Sequence, residues 1–401
     1  MLDYDPFSIE AMTDPQPIYR RLRAQSPVHP LPDYDGFALA LFEDVWRVIG
    51  DGESFSIVQG PVYVREQITR PVDLDQLDPA LPEMAFSSWD PPAHTEIRSV
   101  MSRHFRPRTV GRLEEVARSL ARDRLDELVP NRRLDVAREY ASPVSIRVVC
   151  RALGLGTHDA DELVRLVNLS NQRDAGAPGQ TLDGAAAHQR LHAYIMEVVR
   201  ARRASGAEEG RSLVDTLICA ELASGRLDDA QVATHTLTLL VGGTETMPKI
   251  LAGGVRELSR LPGQRAELAA DPELSAGAFE EMVRHQGVLQ HVGRTALCDL
   301  EIGGTRVRRG QRLFALLQSA NRDEREFEDP DAFDIHRRPE RHVAFGHGPH
   351  HCVGIHVARL EGRILIEELL ARVPDYAVLE DQVERPPSEF QIGYTALPIE
   401  F

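Results

Sequence analysis

Cys352 sits in residues 345–354 (FGHGPHHCVG), where three glycines, a proline and three histidines surround one thiol. A helix-like pattern, residues 355–373, comes immediately after it. Gly346 and Gly348 remove side chains that would block a close backbone approach, and Pro349 stiffens the loop, so a flat cofactor could lie against the main chain. A cysteine at a helix start has its anion stabilised by unpaired N–H groups, so its pKa is expected to fall. The chemistry this suggests is thiolate ligation of iron. Two other readings compete. A lone cysteine can be a buried, inert small hydrophobe. His347, His350 and His351 also allow a Cys/His zinc site, although Cys150, Cys219 and Cys298 are isolated and supply no second ligand pair at knuckle spacing.

A second chemical element is the apolar stretch 228–260, which as a helix would span about 45 Å. At its centre, residues 239–246 (LLVGGTET) place Gly242, Gly243, Glu245 and Thr246 among greasy neighbours. Each glycine costs about 1 kcal/mol in a helix interior, and an unpaired buried carboxyl or hydroxyl costs more. The plain alternative is a glycine-softened core helix with Thr246 bonded back to the Gly242 carbonyl. Pro248 cannot donate to the Thr244 carbonyl and is expected to sharpen a kink there without abolishing activity. Further on, Glu281 and Arg284 are three apart and share a helical face, either as a solvated pair or as a structural one. His94 and Arg98, in residues 89–98 (WDPPAHTEIR), share a face of a helix begun after two prolines.

The elements that must position these groups are mostly helical. Residues 17–25 and 112–128 repeat apolar positions at three and four residue spacings. Short strands are expected at 37–42 and around 300–307, where Gly303 and Gly304 supply a hairpin turn. Residues 173–182 and 204–210 read as loops. The fold class is mainly α with minor β sheets, arranged as a single large domain over 1–401, because no linker or repeat divides the chain. No apolar run reaches the roughly 20 residues needed to cross a bilayer, and the acidic N-terminus has no signal-peptide core. Four scattered cysteines suit a reducing cytoplasm. A net charge of −16 argues against nucleic acid or an anionic membrane as partner. The basic residues are almost all arginine, Lys249 being the only lysine, and nothing in the sequence accounts for that.

Residues 345–354 resemble the haem-binding loop of the cytochrome P-450 superfamily, F-G-x-G-x-[HR]-x-C-x-G, at every specified position, including Phe345, Gly346 and His350. Residues 242–246 resemble its [AG]-G-x-[DE]-T helix, and 281–284 its E-x-x-R pair. The resemblance extends over nearly the whole chain. It implies that haem b lies between a long central helix and the cysteine loop with Cys352 as axial iron ligand. Small residues would then leave a groove for dioxygen, Thr246 could hydrogen-bond it, and Glu245 could relay protons. Glu281 and Arg284 would be a buried support for the cysteine loop, with Arg337 as third partner and His336 as the alternative. His94, Arg98, Arg294 and His350 would hold the propionates.

The same resemblance implies a monooxygenase acting on a small, largely apolar organic substrate. Its pocket would draw on 62–86, 166–190, 240–245, 288–292 and 390–394. Val292 would line it too; Val288, Leu289 and Ile392 favour an apolar compound, while Gln290, His291 and Gln391 could hydrogen-bond a polar group. Electrons would come from NAD(P)H through a reductase and a ferredoxin or flavodoxin, docking near Arg103, His104, Arg106, Arg108 and Arg359. A monomer is expected. A peroxide-dependent peroxygenase, or a non-catalytic haem carrier or gas sensor, would use the same scaffold, but neither needs the Glu245–Thr246 relay.

Overall fold

The structure, a computed structural model, describes residues 2–63, 65–69, 73–76, 78, 80, 83–172 and 179–401. Parts of two segments expected to face substrate, residues 64, 70–72, 77, 79, 81–82 and 173–178, lie outside the described residues. Helices account for 56% of the chain, with small sheets beside them.

The central helix runs over Asp229–Arg260, 32 residues, and continues on both sides of Pro248. Its start is set locally. The Asp228 carboxylate accepts the Gln231 N–H at 2.8 Å while the Gln231 side chain accepts the Asp228 N–H at 3.0 Å, a reciprocal cap. An amphipathic rod of this length needs partners on several sides. The helices Ser142–Leu153, Leu182–Ala204 and Ser275–Gln286 pack along it. Their apolar faces form the largest core cluster, with the helix Ile355–Arg372 that comes after the cysteine loop.

The main sheet comprises β1 (Val28–Leu31), β2 (Gly36–Leu39), β3 (Phe55–Ser56), β4 (Val292–Ala296) and β5 (Arg312–Ala315). Its order is β1-β2-β5-β4-β3, with β2 and β5 parallel and the other pairs antiparallel. Register places Arg294 opposite Leu313 and Gly293 opposite Phe314. Since side chains alternate along a strand, Arg294 and Gly293 face opposite sides, and Gly293 lies under the Tyr63 ring. The hairpin Leu300–Ile302 and Thr305–Val307 turns at Gly303 and Gly304, whose φ values are 52° and 75°.

One expected boundary shifts. The strand expected over 37–42 ends at Leu39, and Phe42 opens the helix Phe42–Gly50. The Phe42 N–H donates to the Asp323 carboxylate at 2.9 Å, so the helix is capped by a distant segment.

Candidate active site

The cysteine loop is closed by its own backbone. The Cys352 N–H donates to Phe345 O at 2.8 Å, and the Gly346 N–H donates to Val343 O at 2.9 Å. Gly346 and Gly348 have φ of 70° and 71°, a region costly for any residue with a Cβ. At Gly348 a Cβ would also lie 2.6 Å from Gly50 Cα, because the loop rests on the end of the helix Phe42–Gly50. His347 stacks on Trp46 of that helix, ring centroids 3.6 Å apart.

The expectation for the thiol is corrected here. The helix begins at Ile355, so Cys352 precedes it instead of occupying its first turn. Burial raises the thiol pKa in the protein alone and outweighs the Gly354 N–H and the nearby Arg98 and Arg359 charges. Among the described residues, no group of three or more His, Cys, Asp or Glu side chains could hold a metal ion.

Behind the loop, Glu281 and Arg284 form a fully buried pair with both guanidinium contacts at 2.7 Å. Arg284 donates to Asn321 O at 2.9 Å, and the Asn321 side-chain oxygen accepts the Val343 N–H at 2.9 Å. The pair is thereby tied to the segment entering the cysteine loop. Arg337 Nε donates to Glu281 at 3.3 Å and the rest of its fork to the carbonyls of Glu328, Asp329 and Ala332. His336 instead reaches outward to Glu267.

His94, Arg98, Arg294 and His350 converge from three elements. The helix Ala93–Ser102 carries the first two, β4 carries Arg294 and the cysteine loop carries His350. None of the four forms an ion pair with a carboxylate among the described residues. Arg98 donates to the His351 carbonyl, and Arg294 to the carbonyls of Gly293 and Ile49. Both ring nitrogens of His94 are buried without a partner. Burial and the adjacent guanidiniums push His94 down to about 4 and His350 to about 2, and burial lowers Arg294 to about 10. Asp90 pulls only weakly on Arg294, its carboxylate already accepting the Ile57 N–H at 2.9 Å. Two buried and two half-buried donors with no ion-paired carboxylate among them suit a group that brings its own carboxylates, as the two propionates of haem would.

The central helix presents a small-residue face. A Cβ at Gly242 would meet nothing within 4 Å, whereas at Gly243 it would strike Val149 at 2.8 Å. Gly242 therefore borders open space and Gly243 permits close packing. The Thr246 hydroxyl donates to Gly242 O at 3.2 Å, the plain helical bond expected as the alternative. Glu245 is buried and pairs with the Lys249 ammonium, which also donates to Gln391 at 3.0 Å. Asn171 donates to the second Glu245 oxygen at 3.3 Å. Sequence reasoning passed over this role of Lys249 and Asn171; the one available signal was a lone lysine in an apolar helix.

Of the expected substrate-facing residues, Gln290 is corrected. Its side chain accepts from the Tyr19 hydroxyl at 2.8 Å and donates to the carbonyls of Ala11 and Ser388, so it braces the N-terminal segment. His291 is buried and packs on Phe314. Val288 and Ile392 are buried and joined by the Ile392 N–H to Val288 O bond at 2.9 Å, while Leu289 and Val292 are half-buried. In the basic patch Arg103 pairs with Glu209 and Arg359 with Glu280, and His104 touches Thr216. Arg106 and Arg108 remain exposed. No described helix is long and apolar enough to cross a membrane.

Residues 273–399 match the family model described as Cytochrome P450. The chain is 33% identical over 386 residues to Cytochrome P450 130 of Mycobacterium tuberculosis, covering 93% of this chain and 92% of that protein. It is 32% identical to the steroid C26-monooxygenase of Mycolicibacterium smegmatis, covering 96% and 92%. Among solved structures it resembles the LnmA cytochrome P450 hydroxylase of Streptomyces atroolivaceus, with 31% identity, 96% of each chain covered and a TM-score of 0.81.

Proposed function

This chain belongs to the cytochrome P450 family and is a haem-dependent monooxygenase, and we propose that it oxidises a small, largely apolar organic compound with electrons from a separate ferredoxin or flavodoxin. The observation that carries the site assignment is the cluster of His94 and Arg294, buried, with Arg98 and His350, half-buried, four donors without an ion-paired acid beside the cysteine loop. Haem bound there supplies an iron centre able to activate dioxygen.

The chain's own residues then have separable tasks. Cys352 Sγ, held by the loop's backbone bonds, would ligate the haem iron. His94, Arg98, Arg294 and His350 would hold the propionates, while Phe345 and Gly346 would form the wall against the macrocycle. Gly242 and Gly243 keep the facing wall thin. Thr246 and Glu245 move protons toward the reacting oxygen, and Thr246 must leave its Gly242 bond to do so. Glu281, Arg284 and Arg337 hold the loop's entry segment. The substrate reading rests on what is left to face it. With Gln290 engaged by Tyr19, Ala11 and Ser388 and Gln391 by Lys249, the remaining candidates are the apolar Val288, Leu289, Val292 and Ile392, with His291 the one polar side chain left among them. Electron delivery through a surface carrying Arg106 and Arg108 fits an acidic donor.

The test begins with the reduced, carbon monoxide-bound protein, which should show the red-shifted Soret band of thiolate-ligated haem. A histidine-haem spectrum would overturn the Cys352 assignment. Ligands that displace iron-bound water should convert low-spin to high-spin haem and reveal the substrate class. Turnover is then compared between ferredoxin, reductase and NAD(P)H on one side and hydrogen peroxide alone on the other. Product only with peroxide would make the protein a peroxygenase, and product with neither would leave a carrier or sensor.

A further inference from the structure

The only lysine in this chain, Lys249, is buried one helical turn after Glu245. Its ammonium donates to the Glu245 carboxylate and to Gln391 Oε1 at 3.0 Å. The second carboxylate oxygen accepts from Asn171, at the end of the helix Ala160–Ser170. Space for the lysine stem comes from Gly393, where a Cβ would lie 2.7 Å from Lys249 Cβ. Three elements thus meet at one ion pair, Asn171 on its carboxylate and Gln391 on its ammonium. Meanwhile the Thr246 hydroxyl is bonded to Gly242 O and not to Glu245. The acid and the alcohol are neighbours in sequence but disengaged in space.

The choice of lysine matters. Elsewhere the chain uses arginine, 46 basic residues less one lysine leaving 45. A guanidinium fixes a carboxylate in a planar fork, whereas an ammonium on a flexible stem can track one that changes position. Glutamate placed four residues before lysine is also the favourable order on a helix. Because the pair is almost fully buried, deleting the cation alone would strand a charge.

We propose that Lys249 is a positioning residue for Glu245: with Gln391 and Asn171 it holds the carboxylate off Thr246, and loosening of this clamp lets the acid engage the hydroxyl. Proton supply is thereby coupled to the loop 388–394 and to the end of the helix Ala160–Ser170. The inference rests on the monooxygenase reading for its purpose, but not for its geometry.

A single lysine makes the clamp directly observable. Acetic anhydride applied to the haem-loaded protein should acetylate Lys249 at least about 100-fold more slowly than in the unfolded chain, as for a group that reacts only from a locally opened state. Gln391→Ala and Asn171→Ala should each raise that rate about tenfold with the carbon monoxide spectrum unchanged. Native labelling as fast as unfolded, or no response to either substitution, would overturn the clamp.

The positioning role is read with a ferredoxin, its reductase and NAD(P)H, and no organic substrate. The fraction of NAD(P)H electrons appearing as hydrogen peroxide should rise at least roughly twofold in K249R, which keeps the charge but not the mobility. E245Q/K249M should give the same fraction as E245Q, because the lysine acts only through the acid. Wild-type behaviour of K249R, or a double variant worse than E245Q, would overturn the role. Should K249R not retain haem, the comparison of E245Q/K249M with E245Q decides alone. If no variant consumes NAD(P)H while the acetylation pattern holds, the monooxygenase reading fails and the clamp stands.

Discussion

His94 and His350 lie nearly face to face, ring centroids 3.9 Å apart and 29° between planes, joining the helix Ala93–Ser102 to the cysteine loop. Arg98 and Arg294 stand close enough to help hold both imidazoles neutral. Four donors are packed together at an electrostatic cost that a bound dicarboxylate would relieve.

Substitution of Arg294 should therefore act in opposite directions on the empty and loaded protein. In the absence of haem, Arg294→Leu removes a buried cation with only carbonyl partners and should stabilise the fold by about 1 kcal/mol. In its presence, losing a charge-assisted hydrogen bond should weaken haem retention by about 10- to 100-fold. Urea unfolding of the empty protein and haem transfer to apomyoglobin measure the two effects. A loss in both would assign Arg294 to structure alone.

The Glu281–Arg284 pair and Arg337 should differ in weight. Arg284→Leu leaves the Glu281 carboxylate without its bidentate partner and should cost about 3–5 kcal/mol, with poor haem loading. Arg337→Ala removes one longer contact at 3.3 Å and bonds to three carbonyls, and should cost about 1–3 kcal/mol. Denaturation midpoints tracked by haem absorbance test the ranking.

Two glycines of the loop should also separate. In the protein without haem, Gly346→Ala has only its positive φ against it, about 1–2 kcal/mol, since the nearest heavy atom to a new Cβ would be 3.6 Å away. Gly348→Ala adds a collision with the Gly50 backbone and should cost more, loosening the loop from the helix Phe42–Gly50. Urea denaturation midpoints of the protein without haem should fall less for the first substitution than for the second.

Glu361 gives the protein a pH-dependent weakness. It is buried between the helices Ile355–Arg372 and Ser142–Leu153, accepts a hydrogen bond from Ser145, and is pushed by burial from 4.5 up to about 8. The folded chain holds this proton more tightly than the unfolded chain, so the contribution is complete below pH 4.5 and is lost as pH rises toward about 8. Glu361→Gln should remove the loss and gain a few kcal/mol over wild type at pH 9, with little difference at pH 5. Urea unfolding at the two pH values checks the sign.

Contiguous residues encode the short-range features of this protein. The loop 345–354 carries its glycines, histidine and cysteine in one run, the central helix announces its cap at Asp228 and Gln231, and Glu281 shares a face with Arg284 through helical spacing alone. The family resemblance added the propionate donors. Folding then selected which partner each group finds. Asp323 rather than a local residue starts the helix at Phe42, Arg337 rather than His336 completes the buried pair, and Tyr19 takes Gln290 away from the pocket. Packing also reversed the expected shift of the Cys352 thiol, because desolvation depends on every group around a site, whereas a helix dipole acts only near its own first turn. Lys249 shows the division most plainly. Its place one turn after Glu245 is written in the local spacing of one helix, but its hold on Gln391, 142 positions away, exists only because the chain folds a distant loop against that helix.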